Sequence, residues 1–162
     1  MQKIVTFLWF NDHAKEAVDL YLSLFENAKI INSSYLTESV AKEAGKKPGD
    51  LSSIDFELNG QNFTALNGGP MFTFSEAISI LVYCKTQKEI DKLWEGLSEG
   101  GEIISCGWLK DKYGLTWQIV PECLDIMMRD PDTAKADRVS AAMLSMNKLI
   151  ISELEEAFNI AD

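Results

Sequence analysis

Residues 51–66, with the sequence LSSIDFELNGQNFTAL, predict a β-hairpin from which the rest of the fold follows. Two strand-forming segments, 51–58 and 61–66, flank the dipeptide Asn59-Gly60. Asn-Gly tolerates the positive φ angles of a type I′ turn, whose twist suits paired antiparallel strands. We therefore expect a hairpin here, ended by the break at Asn67-Gly68-Gly69-Pro70.

The chain before this hairpin predicts a strand, a helix and a second strand. Ile4–Phe10 is β-branched and aromatic, as in a buried strand. Apolar side chains recur every three or four positions over residues 14–25, which indicates an amphipathic helix with Asp12 as its N-cap. Ala28–Tyr35 predicts the second strand, and Thr37–Asp50 a polar loop in which one helical turn could form.

The same order of elements recurs later in the chain. Ala77–Cys84 predicts a buried strand, and Thr86 to Glu89 has the capping-box pattern that opens a helix. Strands are expected over Glu102–Leu109 and Leu115–Val120. Strand–helix–strand–strand–strand thus occurs twice, over about residues 4–66 and 78–120, and indicates an internal duplication.

Helical patterns dominate beyond Pro121. Asp130-Pro131 is expected to open one helix, and Ser152–Glu155 has the capping-box pattern of another. We therefore expect one α+β domain over residues 1–162. It would comprise a first βαβββ module over 1–70, a second over 71–121 and a helical extension over 122–162.

Composition limits the partners of the 162-residue chain. Fifteen basic and 25 acidic residues give a net charge of −10, which argues against nucleic acid or an anionic membrane as partner. The three cysteines form no CxxC pair, which favours reduced thiols. No stretch approaches the roughly 20 apolar residues of a membrane helix. A cytoplasmic location is the expectation.

The duplicated βαβββ order resembles the glyoxalase/bleomycin resistance/dioxygenase (vicinal oxygen chelate) superfamily. Within it, the chain resembles the PhnB-like branch, whose label is 3-demethylubiquinone-9 3-methyltransferase. The similar segments are Phe7–Phe10, Phe63–Pro70, Cys106–Gly114 and Trp117–Pro121. The resemblance implies an open barrel built from paired modules, and a homodimer with the C-terminal helices as candidate contact.

In metal-dependent members of that superfamily, His, Gln or Glu side chains at four positions surround a divalent ion. By the resemblance these positions fall on Val5, Ser79, Thr64 or Ala65, and Gln118. Valine has no lone pair to donate, and serine is a poor ligand beside imidazole and carboxylate. Only Gln118 is a credible ligand. The expectation is therefore no catalytic metal and no cofactor.

The candidate ligand-binding residues combine aromatic walls with neutral polar groups. Trp9, Trp108 and Trp117 lie on predicted strands, and Asn67 and Gln118 could anchor an uncharged molecule. A concave aromatic pocket with a few polar anchors is typical of small-molecule sites, although core packing explains the same aromatics equally well. We expect binding of a small molecule of unknown identity.

Two other functions remain open. One is a lyase, isomerase or dioxygenase-like enzyme of the same superfamily, which would need a carboxylate or thiol with a strongly shifted pKa in the pocket. The other is a dimeric structural or regulatory scaffold with a filled barrel. Methyl transfer is disfavoured because we find no glycine-rich turn between a parallel strand and a helix. His13 is the single histidine, which excludes a His-dependent triad within one chain.

Overall fold

The computed structural model describes residues 3–160 and divides into two compact units. The first unit ends at Phe74 and the second begins at Ser75. The strands and helix of the first predicted module lie in the first unit, those of the second module lie in the second unit, and the second unit also contains the C-terminal helices. Membership of residues 1–162 in a single domain stays a prediction.

The first unit is a four-stranded mixed sheet with two helices. In the sheet, β1 pairs in parallel with β4, and β3 lies antiparallel between β4 and β2. Asn59 and Gly60 have φ angles of 46° and 84°, which confirms the predicted turn. The elements are β1 (Thr6–Phe10), α1 (Ala14–Leu24), β2 (Ala28–Tyr35), α2 (Glu38–Ala44), β3 (Leu51–Leu58) and β4 (Gln61–Asn67).

The second unit repeats this topology and adds three helices. Its sheet has the order β5-β8-β7-β6, which matches β1-β4-β3-β2 in the first unit. The elements are β5 (Ile80–Cys84), α3 (Gln87–Ser98), β6 (Glu102–Ile103), β7 (Trp108–Lys110), β8 (Thr116–Pro121), α4 (Glu122–Met128), α5 (Thr133–Ser145) and α6 (Ile151–Asn159).

The strand register also repeats. Thr6 pairs with Phe63 in the first unit, and Ile80 pairs with Trp117 in the second. Counted from these pairs, Thr64 is equivalent to Gln118, and Val5 to Ser79. The internal duplication predicted from the sequence is therefore confirmed in both topology and register, and so is the α+β fold class.

Each sheet buries one face beneath the helix of its module. Helix α1 packs on β3 and β4, and α3 packs on β7 and β8. The buried residues of α3 are Ile90, Leu93, Trp94 and Leu97, which form the apolar stripe seen in the sequence. Burial of such a stripe, rather than helix propensity, supplies most of the stabilisation of a short helix.

The opposite faces of the sheets are less buried, because successive side chains of a strand point to opposite sides. We call the residues there the first open face and the second open face. The first open face comprises Phe7, Trp9, Asp55, Thr64 and Leu66. The second open face comprises Leu81, Tyr83, Trp108, Lys110 and Gln118, together with Thr116, which is fully buried.

The structure corrects several local predictions. The segment 102–109 forms two strands rather than one, because Cys106 and Gly107 have φ angles of 52° and 83°, which an extended strand does not allow. The predicted loop after Thr37 contains the seven-residue helix α2. Asp132, not Asp130-Pro131, caps α5, since its side chain accepts hydrogen bonds from two backbone N–H groups.

The start of α6 is also corrected. Ser152 does not cap this helix, which begins at Ile151. The side-chain oxygen of Gln87 accepts from the N–H of Ile151 at 2.9 Å, and the Gln87 amide donates to the carbonyl of Leu149 at 3.2 Å. Gln87 on α3 therefore accepts the hydrogen bond at the start of α6, where the local sequence predicted a cap by Ser152.

The C-terminal helices share an apolar core with the end of β8. The cluster consists of Val120, Leu124, Met127, Val139, Met146, Leu149 and Leu154. Within residues 3–160, no helix combines the length and the apolarity that crossing a bilayer requires.

Candidate functional site

The second open face presents an aromatic side chain beside a neutral polar pair. Trp108 and Gln118 are direct partners in the antiparallel pairing of β7 with β8, so their side chains project from the same face. The Gln118 amide nitrogen Nε2 donates to Ser79 Oγ at 2.7 Å. Two residues predicted to bind a ligand, Trp108 and Gln118, are thus adjacent and half-buried.

Several hydrogen-bonding atoms of this group remain available. Within residues 3–160, the Gln118 oxygen Oε1 and the Trp108 indole N–H have no side-chain or backbone partner. Ser79 accepts from Gln118, which leaves its own hydroxyl hydrogen able to donate. The group therefore offers one acceptor and two donors around an aromatic ring.

Thr116 lies two residues before Gln118 on the same strand face and is fully buried. Its hydroxyl has no hydrogen-bond partner among the described residues. Its cross-strand partner Lys110 forms ion pairs with Glu76 and Glu102. The hydrogen bond from Lys110 lowers the pKa of Glu76 and raises that of Lys110 itself. These charges border the neutral group formed by Trp108, Gln118 and Ser79.

The first open face has different chemistry at the equivalent positions. Thr64, the counterpart of Gln118, donates from Oγ1 to Asp55 Oδ1 at 2.7 Å. Phe7, the cross-strand neighbour of Thr64, is 60% exposed. Val5, the counterpart of Ser79, has an aliphatic side chain.

The residues at the superfamily's metal positions do not fit a catalytic ion. Val5 offers no ligand atom, and the Thr64 hydroxyl is hydrogen-bonded to Asp55. Gln118 and Ser79 are neutral groups that are hydrogen-bonded to each other. Over residues 3–160, no three His, Cys, Asp or Glu side chains come together as a metal-binding group. At these positions each unit therefore offers groups that form hydrogen bonds, not a set of ligands for a metal ion.

Trp9 and Asn67 hold the segment after β4 in place. Trp9 Nε1 donates to the carbonyl of Gly69 at 2.9 Å, and its ring contacts Phe72 edge-on at 4.9 Å between centroids. A Cβ on Gly68 would lie 2.2 Å from the Trp9 ring, so only glycine fits there. Asn67 Oδ1 accepts from the N–H of Ala14, and Asn67 Nδ2 donates to the carbonyl of Leu51.

The contact with Asn67 also corrects the predicted cap of α1. His13, not Asp12, occupies the N-cap position and makes no side-chain capping bond. Asn67 supplies the acceptor instead, so its polar atoms serve the fold of the first unit as well as the surface they line.

Trp117 lies in the core of the second unit. Its side chain is 1% exposed, and Nε1 donates to Asp111 Oδ2 at 2.9 Å. Asp111 also accepts from the N–H groups of Tyr113 and Leu115, so it organises the turn between β7 and β8. Trp117 therefore projects to the helix side of the sheet, away from its neighbour Gln118. Strand alternation in the sequence could have separated these two residues.

A cavity of about 440 Å³ lies at the end of the first sheet where β1, β4 and α2 meet. Its lining includes Asn11, Val40, Lys46, Ser52 and Asn67. Lys46 was not predicted from the sequence, because it falls in a polar stretch and reaches the cavity through contacts with the distant residues Asp12 and Asn67. A neighbouring cavity of about 380 Å³ shares Asp12 and Asn67.

Two thiols have raised pKa values. Burial raises the pKa of Cys84 to about 12, with Glu89 and Glu122 adding to the shift. Burial also raises the pKa of Cys123. A nucleophilic cysteine needs the opposite shift, so neither thiol is activated as a nucleophile.

A family model described as 3-demethylubiquinone-9 3-methyltransferase matches residues 2–120. The chain belongs to this family. A search of curated proteins found no match. The family is the PhnB-like branch of the vicinal oxygen chelate superfamily, as the sequence predicted.

Solved structures with the same fold support this assignment. The putative 3-demethylubiquinone-9 3-methyltransferase PhnB protein from Bacillus cereus is 36% identical, with a TM-score of 0.66, over 74% of this chain and 99% of its own. Protein PA1353 from Pseudomonas aeruginosa is 18% identical, with a TM-score of 0.57, over 75% and 98%.

The fosfomycin resistance protein FosX from Listeria monocytogenes is 18% identical, with a TM-score of 0.55, over 80% of this chain and 98% of its own. At this identity the likeness concerns the fold alone. Together these neighbours confirm the predicted vicinal oxygen chelate fold.

Proposed function

We propose that this protein binds a small, neutral molecule with an amide or hydroxyl group on the second open face, without a catalytic metal. The supporting observation is the pairing of Trp108 with Gln118 beside Ser79. An aromatic surface with a few oriented polar groups is the usual composition of a small-molecule site.

The available atoms define the ligand chemistry. Gln118 Oε1 can accept from a ligand N–H or O–H, and the Ser79 hydroxyl can donate to a ligand carbonyl. The Trp108 indole offers both a flat apolar surface and an N–H donor. A planar primary amide, which has a donor and an acceptor side by side, complements this group.

Neutral groups also favour binding over acid–base chemistry. The side chains beside Trp108 are those of Gln118 and Ser79. Neither side chain ionises at neutral pH, so neither is suited to exchange a proton with a substrate. The pKa values of the Cys84 and Cys123 thiols are raised rather than lowered, so neither supports the enzyme alternative. A structural or regulatory scaffold would bind no ligand, so a binding experiment distinguishes that alternative from the proposal.

The family description names a methyl transfer, which the proposal does not include. Nucleotide-type cofactor sites use a glycine-rich turn whose backbone approaches the ligand at a helix N-terminus. Here the turns are Asn11–His13 between β1 and α1, and Lys85-Thr86 between β5 and α3, and neither contains glycine. The N-terminus of α1 also receives the Asn67 side chain.

Elemental analysis combined with native mass spectrometry tests the metal-free part of the proposal. Tag-free protein is dialysed and analysed as purified, so that metal and retained small molecules are measured on the same sample. We expect only traces of Zn, Fe, Mn and Ni. The side chains at the superfamily's metal positions are uncharged, and that of Val5 is aliphatic and has no ligand atom. A stoichiometric metal ion that resists dialysis would contradict the proposal.

A homodimer and a cytoplasmic location also remain proposals. The C-terminal helices expose Ile126 and Leu144, which are 74% and 67% accessible in the single chain. Burial of such side chains would favour association. Sedimentation of the tag-free protein should give the mass of two chains, and Leu144→Glu should shift it toward one. A single-chain mass for the unaltered protein would refute the dimer.

A further inference from the structure

We infer that the 440 Å³ cavity of the first unit binds a small carboxylate with an apolar body, and that Lys46 is the cation that recognises it. This site lies at the end of the first sheet and shares no residue with the second open face. The inference therefore does not depend on the proposed function.

Two contacts position the ammonium group of Lys46 and leave one of its hydrogen-bond donors available. Its Nζ lies 3.0 Å from Asp12 Oδ1 and donates to the carbonyl of Asn67 at 3.3 Å. An ammonium group has three N–H donors, so one remains for a ligand. The Lys46 side chain is 24% exposed, whereas that of Asp12 is 67% exposed. Ion pairs with exposed partners are weak, so the ligand competes with a loosely held carboxylate.

Two further donors line the same cavity. Ser52 provides a hydroxyl and Asn11 a side-chain amide. Neither side chain has a hydrogen-bond partner within residues 3–160. A carboxylate, which only accepts hydrogen bonds, can accept from the Lys46 ammonium group, from the Ser52 hydroxyl and from the Asn11 amide nitrogen.

The remaining lining is apolar. Leu36, Val40 and Leu66 come from the end of β2, from α2 and from β4. Val40 is 51% exposed without a ligand, so covering it would remove apolar surface from water. The volume lies within the range of roughly 300–1,000 Å³ that is usual for small-molecule pockets. A short aliphatic acid such as hexanoate combines the required head group and body.

The negative net charge of the protein does not oppose this ligand at physiological salt. Exposed charges are screened beyond a distance of roughly 8–10 Å, so the local groups dominate. Asp12 and Lys46 are the charged residues of this lining. Asp12 repels a carboxylate ligand and also pairs with Lys46. Removing the charge of Asp12 should therefore strengthen ligand binding, whereas removing the charge of Lys46 should weaken it.

NMR titration with hexanoate and with the neutral isostere hexanamide tests the inference on the full chain. We expect hexanoate to bind saturably and at least about tenfold more tightly than hexanamide, as for a charge-assisted contact to a half-buried lysine. Lys46→Met should weaken hexanoate binding by a similar factor. Asp12→Asn should strengthen it severalfold.

Lys47→Gln is the matched control, because Lys47 has the same charge one position away and lies outside the lining. This variant should bind hexanoate like the unaltered protein. Equal binding of acid and amide, or no saturable binding of butyrate, hexanoate or octanoate, would overturn the inference without any mutation. A Lys46→Met protein that still discriminates acid from amide would also overturn it.

Discussion

Asn67 accepts a hydrogen bond at 2.9 Å from the backbone N–H of Ala14, a residue 53 positions earlier in the chain. The same side chain donates to the carbonyl of Leu51 at 3.2 Å. One amide at the end of β4 therefore joins the start of α1 to the start of β3. This arrangement explains why Asp12 is not needed as the helix cap.

Asn67→Ala is expected to lower the free energy of unfolding by about 1–2 kcal/mol, because it removes a helix cap and leaves the Leu51 carbonyl without its donor. Urea denaturation followed by circular dichroism measures the change. Asn32→Ala, on the exposed part of β2, is the control and should change stability by less than about 0.5 kcal/mol. Equal stability of the two variants would show that the Asn67 contacts contribute nothing.

Asp111 is a second residue whose contacts predict stability. Its carboxylate is buried and accepts from two backbone N–H groups and from Trp117 Nε1. Asp111→Ala should cost about 3 kcal/mol or more, because three donors, two of them buried, lose their acceptor. Asp111→Asn should cost less, since Oδ1 can still accept.

The loss is measured by thermal and urea unfolding, with Asp137→Asn on the exposed surface of α5 as the control. The Trp117 fluorescence should also change in Asp111→Ala, since its indole loses a buried partner. An Asp111→Ala protein as stable as the control would contradict the assignment of Asp111 and Trp117 to a structural network.

The buried thiol of Cys84 predicts a pH dependence. Its pKa is raised to about 12 in the folded protein, so above the ordinary thiol pKa the unfolded chain loses a proton that the folded chain keeps. The unfolded state then binds fewer protons, and stability falls with rising pH by up to roughly 1.4 kcal/mol per pH unit. Below the ordinary thiol pKa this contribution to the slope is absent.

Unfolding free energies measured between pH 8.5 and about 10.5 should therefore decline less steeply in Cys84→Ala than in the unaltered protein. The comparison uses slopes, because the small cavity left by the substitution lowers stability equally at each pH. Identical slopes would show that Cys84 ionises equally easily in both states.

The sequence predicted the fold because the decisive patterns are local. The Asn59-Gly60 turn, the Thr86–Glu89 capping box and the apolar stripe of α3 are all formed as predicted. Each depends on residues within a few positions of one another, where side-chain period and turn chemistry determine the conformation.

Several failures arise from contacts between residues far apart in the chain. Asn67 caps α1 and Gln87 caps α6, so the local candidates Asp12 and Ser152 are not used. The error at Trp117 is local instead: composition treated Trp108 and Trp117 alike, although strand alternation places them on opposite faces of the second sheet. Lys46 lies at its cavity through contacts with Asp12 and Asn67, which are 34 and 21 positions away in the chain.

The most direct test of the proposed function follows the four tryptophan indole N–H signals by NMR while benzamide is added. Benzamide offers a ring for Trp108, an N–H donor for Gln118 Oε1 and a carbonyl for the Ser79 hydroxyl. The Trp117 signal is the internal control, because its N–H is buried against Asp111. We predict a saturable shift of the Trp108 signal that Gln118→Ala weakens by about tenfold while the fold is retained. A Trp108 signal that does not move, or one that moves equally in Gln118→Ala, would contradict the proposed site.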